Sequence, residues 1–95
     1  MLMTVTVASQ SLKAIATAAG GYLDDRLNVN DKMSFQIQNL DANTIYYDIG
    51  VAAAVASGGS IPQNQTVNFT ARPEDVYLIG DGEATDVRVT AEPII

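Results

Sequence analysis

Two stretches of this sequence gather oxygen-bearing side chains densely enough to do chemistry. The first holds Asp24, Asp25, Asn28, Asn30 and Asp31, hard oxygen ligands of the kind calcium takes. Their spacing lacks the central glycine and the bidentate glutamate at the twelfth position that an EF-hand loop requires. The plainer account is a solvated loop whose Asp and Asn side chains hydrogen-bond their own backbone. The second is Asp81-Gly82-Glu83-Ala84-Thr85-Asp86, with three carboxylates near one turn. Asp-Gly between two β-branched segments explains that turn without a ligand. Paired carboxylates could hydrolyse a glycoside, but that mechanism needs a substrate cleft, and a small domain with few aromatics has little room for one.

The other chemistries fail on residue type. Histidine and cysteine are absent, which removes the usual base and thiol nucleophile, and with them thiolate and imidazole metal sites. Lys13 and Lys32 sit in no Ser-Lys motif. Gly58-Gly59-Ser60 is no phosphate loop, because no lysine follows and Ile61-Pro62 opens no helix. Tyr22, Tyr46, Tyr47 and Tyr77 could form a carbohydrate platform, yet tyrosines in short strands more often cover a core or an interface with the hydroxyl left wet. The chain therefore reads as non-enzymatic, with no cofactor and no metal. Candidate functional residues are those that would meet a partner.

Alternation supplies the elements that must position them. Met3, Val5 and Val7 alternate with Thr4 and Thr6, so residues 1–8 read as an N-terminal strand or arm. Leu12, Ile15, Ala16 and Ala19 fall at helical spacing behind Ser9 or Ser11 as cap, with Gly20-Gly21 as stop, which predicts one short helix near residues 11–19. A strand over Leu12–Thr17 competes with it. Met33, Phe35 and Ile37 alternate with Ser34, Gln36 and Gln38; Ile45, Tyr47 and Ile49 do so after the turn Asp41-Ala42-Asn43, which predicts a hairpin. QTVNFTA, VYLIG and DVRVTAE follow, separated by Arg72-Pro73-Glu74-Asp75 and by Asp81-Gly82, a second predicted hairpin. The expected fold is one mainly β domain over residues 1–95, a small antiparallel β-sandwich or barrel of about six short strands.

A chain of 95 residues has a limited core. It buries about 60–65% of its unfolded surface, and small domains gain support from disulfides, a metal or oligomerisation. Without Cys or His, oligomerisation or a site of oxygen ligands is left. Five basic residues, scattered singly, face eleven acidic ones for a net charge of −6, which argues against nucleic acid as partner. The start MLMTVTVASQ is neither signal peptide nor membrane span, so a soluble protein made inside the cell is expected. The acceptor patterns at Asn64 and Asn68 then read as chance matches.

The run VAAAVASGG after Gly50 is too short for an independent helix and carries no charge. Its small side chains suit a subunit contact or a tight loop against a sheet. The interface candidates are accordingly Met3, Val5 and Val7, then Val51, Ala53 and Val55, with Tyr46 and Tyr77 beside them.

The order of these segments resembles small structural proteins of tailed bacteriophage virions. There, a segment N-x-x-x-N-x-I-Y-V-G leads to a loop ending in a hydrophobic residue and proline, and the chain finishes L-Y-A-I-A-x-x-G-x-A-D-V-R-V. The matching positions are Asn39, Asn43, Ile45, Tyr46 and Gly50; Ile61 and Pro62; then Tyr77, Ile79, Gly82, Ala84, Asp86, Val87, Arg88 and Val89. The match spans roughly residues 35–90; Gln-Asn-Gln replaces a Pro-Gly-Glu-like turn after Pro62, and nothing before Met33 corresponds. The resemblance implies a compact, non-enzymatic β-domain on a virion, made in the bacterial cytoplasm. It would be a homotrimeric capsid decoration (cement) protein that sits on the capsid surface and clamps the major capsid protein. A tail, fibre or spike module is the structural alternative, and a carbohydrate- or calcium-binding module the other.

Overall fold

The computed structural model describes residues 2–19 and 32–93. They form strands β1 (Leu2–Val5), β2 (Gln10–Ser11), β3 (Met33–Asn39), β4 (Ile45–Ile49), β5 (Gly59–Ile61), β6 (Thr66–Ala71), β7 (Val76–Gly80) and β8 (Thr85–Pro93), with helix α1 (Leu12–Ala18) after β2. The turn at Arg72–Asp75 tightens into a 3₁₀ segment over Pro73–Asp75.

Two four-stranded antiparallel sheets face each other, ordered β1-β8-β3-β6 and β2-β7-β4-β5. The chain pairs first strand with last, second with seventh, third with sixth and fourth with fifth. It is one long hairpin rolled into two layers, with the loop between β4 and β5 at its tip. This is the eight-stranded jelly-roll arrangement. The sandwich is open, and the two strands beyond the expected six, β2 and β5, are only two and three residues long.

Both predicted hairpins are corrected by this topology. β3 bonds β6 and β8, whereas β4 bonds β5 and β7, so Asp41-Ala42-Asn43 carries the chain from one sheet to the other. Asp81-Gly82 likewise joins β7 in one sheet to β8 in the other. The residues are those of a tight bend, but Asn39 at the end of β3 decides what the bend connects. Its fully buried amide donates to the Asn43 and Ile61 carbonyls, both at 2.7 Å, and its Oδ1 accepts the Asp41 N–H at 2.9 Å. Asn43 then donates to the Glu83 carbonyl and to Thr85 Oγ1. Together the two asparagines hold one corner of the sandwich against the other. Among the described strands, only the connection from β4 to β5 stays within a sheet.

Alternation fills the space between the layers. Met33, Phe35 and Ile37 of β3 meet Val87 and Val89 of β8 and Ile45, Ile61 and Leu78 of the facing sheet, all fully or nearly fully buried. Each such side chain contributes about 1.5–3 kcal/mol through burial. Phe69 stacks on Tyr47 with ring centroids 5.9 Å apart and tilts against Phe35 at 5.7 Å, closing the end of the core. Helix wins over strand at Leu12–Ala18 because Ser11 Oγ accepts the Ala14 N–H and Leu12, Ile15 and Ala16 then fall on one buried stripe. Gly20-Gly21 and the acidic stretch Asp24–Asp31 lie outside the described residues, as does Tyr22.

Candidate functional site

The predicted interface residues divide by the direction their strands turn them. Met3 and Val5 are 3% and 0% exposed and belong to the core of their own chain, which corrects their assignment as partner contacts. The cause is register: β1 pairs with β8, Met3 opposite Val87 and Val5 opposite Thr85, and these positions face the other sheet. Leu2 and Val7 are exposed instead.

On β4, Ile45 and Tyr47 face the core, so Tyr46 lies on the outer face. It stands between Ser60 of β5 and Ile79 of β7, and Tyr77 stands beside Asp48 and Ser11. Tyr46, Tyr77 and Ile79 are half-buried there. Tyr47, stacked inward on Phe69, is no part of an outer aromatic platform.

The loop Gly50–Gly58 reaches back toward this face. Gly50, at φ +82°, donates to the Asp75 carbonyl at 2.7 Å, and the Ala53 N–H donates to Ser9 Oγ at 2.9 Å. Ser9 immediately precedes the β2 residue paired with Leu78 in the middle of β7, so the tether draws the loop back along the sheet. Ala53 is 5% exposed yet outside the core between the sheets. Its assignment as a partner contact is therefore also corrected: this alanine is small so that the loop can close on its own domain. The turn Ala54–Ser57 then presents the remaining side chains outward. Val51 and Val55 are 57% and 45% exposed, and Ile49 at the end of β4 is 46% exposed.

At the return of the loop, a side chain on Gly59 would run into the Tyr47 ring, and one on Gly58 (φ +71°) into the Tyr47 carbonyl. The loop is thus pinned at both ends and apolar at its crest.

The other outer face is built differently. Ser34, Gln36, Gln38, Thr66, Asn68, Thr70 and Thr90 make it polar, Asp86 and Arg88 of β8 share it, and a depression of about 210 Å³ is lined by Gln36, Gln38, Thr66, Arg88 and Thr90. A larger groove of about 570 Å³ runs between β1 and α1, with Leu2, Ile15 and Leu40 on its walls and Asp41 and Asp86 at its rim. Those carboxylates are engaged, Asp41 Oδ2 accepting the Asp86 N–H at 2.8 Å and Asp86 Oδ1 accepting the Thr4 hydroxyl at 3.0 Å. Among the described residues no three acidic groups converge as a metal site, the Asp81–Asp86 turn included. No helix among them is long and apolar enough to cross a membrane.

Sequence reasoning missed Asn39 and Ser9 as positioning residues. Asn39 carried a signal, since it continues the inward series Met33, Phe35, Ile37 with a polar side chain. Ser9 carried none, because its partner lies 44 residues away. Comparison with protein-family models, with characterised proteins and with solved structures gives no match to this chain.

Proposed function

We propose that this chain is a structural assembly protein, a homotrimeric decoration (cement) protein of a bacteriophage capsid. The observation that carries the assembly reading is the exposure of three apolar side chains in the seven residues 49–55, Ile49 at the end of β4 and Val51 and Val55 in the pinned loop that follows it. An exposed apolar group on a chain of net charge −6 marks a surface that gains by being covered. The virion assignment rests on the resemblance of residues 35–90, and the matched Asn39, Asn43 and Gly82 all lie at sandwich corners. Jelly rolls also serve many other roles, lectins among them, so the architecture alone carries no function.

In this reading three crests meet around a threefold axis, which buries Val51 and Val55 and leaves the rest of each domain to contact the major capsid protein on the capsid surface. Binding only the assembled lattice shifts its equilibrium toward assembly by mass action. The test compares heads with and without the protein: decorated heads rupture at a higher temperature. Equal rupture temperatures would reject the decoration role, and specific recovery of the protein with tails or fibres would move it to that part of the virion.

A further inference from the structure

Among the described residues the sandwich has four sheet edges, and three are short. β2 and β5 offer two and three residues, and β1 offers four beside the groove it shares with α1. The fourth, β6, is six residues long and, among the described residues, pairs with β3 alone. An unpaired edge is a template for another strand, and proteins usually blunt it with charge, proline or a bulge. Thr66–Ala71 contains no charged residue and no proline.

Its free backbone groups follow from the ladder. Asn39 N–H donates to the Gln65 carbonyl at 3.1 Å, continuing the β3–β6 register by one pair. Bonding alternates along an antiparallel strand, so Val67, Phe69 and Ala71 bond toward β3. Thr66, Asn68 and Thr70 then direct N–H and C=O away from the sheet, and their side chains are exposed.

We infer that β6 pairs antiparallel with β6 of a second copy about a twofold axis through Asn68, fusing the two polar-faced sheets into one of eight strands. The occupant is argued from self-complementarity. With Asn68 opposite its own copy, Thr66 meets Thr70 on the polar face, and the edge closes with about six backbone hydrogen bonds. On the inner face Phe69 lies opposite Val67 of the second copy, both half-buried at the open side of the core. Charge agrees: Gln63–Ala71 is free of the acidic residues that would repel a second copy of a −6 chain. The contact lies on the opposite sheet from the apolar loop, so it does not depend on the threefold reading.

The test uses full-length protein carrying Val51→Glu and Val55→Glu, which separates the two contacts. Raising its concentration from micromolar to millimolar is expected to give a dimer and to slow amide exchange at Thr66, Asn68 and Thr70. Asn68→Pro in that background removes one outward N–H without touching the β3 ladder and is expected to abolish the dimer. Asn68→Lys, which keeps the backbone and sets two like charges across the axis, is expected to do the same even if the proline variant misfolds. A monomer at every concentration, or a dimer that survives Asn68→Lys, overturns the inference.

Discussion

At the scale of single residues, two positions hold the corners, and both can be tested. Asn39 satisfies the carbonyls of Asn43 and Ile61, and removing its amide leaves both without that donor inside the protein. Each buried polar group so orphaned costs about 1–3 kcal/mol, so Asn39→Ala is predicted to destabilise the domain by about 3 kcal/mol in urea unfolding. A loss below about 1 kcal/mol would mean that water replaces the amide. Gly80 presents a different constraint. Its N–H donates to the Thr6 carbonyl at 2.8 Å, and a Cβ there would collide with the Glu83 carbonyl, which is backbone and cannot rotate away. Gly80→Ala is predicted to cost about 2 kcal/mol or more through overpacking. Gly82→Ala serves as its control, since open space surrounds that position and only its φ of +81° resists a side chain, at about 1 kcal/mol. Equal effects of the two changes in thermal unfolding would contradict the steric account.

At the scale of elements, strands with clear alternation were legible and their partners were not. Met33–Ile37 shows period two because the strand has one buried face, a local fact, and in β4 the alternation holds for Ile45 and Tyr47 but not for Ile49, which runs past the core and is exposed. Which strand lies alongside is not local: Asp and Asn stabilise a bend through their own backbone, whether the bend closes a hairpin or crosses a sandwich. That is why both turns were misread as hairpins. β2 and β5 were missed because two or three residues cannot display a period. The loop's apolar character was visible in VAAAVAS, but its tether was not, since Ser9 and Ala53 meet only after the hairpin rolls up. Ser9→Ala is predicted to cost about 1 kcal/mol. It should speed amide exchange at Ala53 while leaving exchange in β3 and β8 unchanged. Unchanged exchange at Ala53 would show that the loop stays closed by burial of its alanine alone.

At the scale of the whole molecule, the domain resolves its small size by rolling one hairpin so that first and last strands pair, and by leaving two outer faces of opposite character. One is polar and ends in the free edge of β6. The other carries the half-buried tyrosines and the apolar loop crest. Rolling also reassigns the N-terminal segment: Met3 and Val5, which looked like a docking strand, complete the core. Removing residues 1–5 is therefore predicted to leave the domain unable to fold, seen as loss of cooperative melting. The measurement that bears most directly on the assembly proposal is the native mass of wild-type protein beside the Val51→Glu, Val55→Glu variant, with circular dichroism of each. The account predicts wild-type assemblies in multiples of three, and a variant that loses the threefold mass while keeping the same β spectrum. A wild-type protein that never reaches three copies, or a threefold assembly that survives both glutamates, would contradict it.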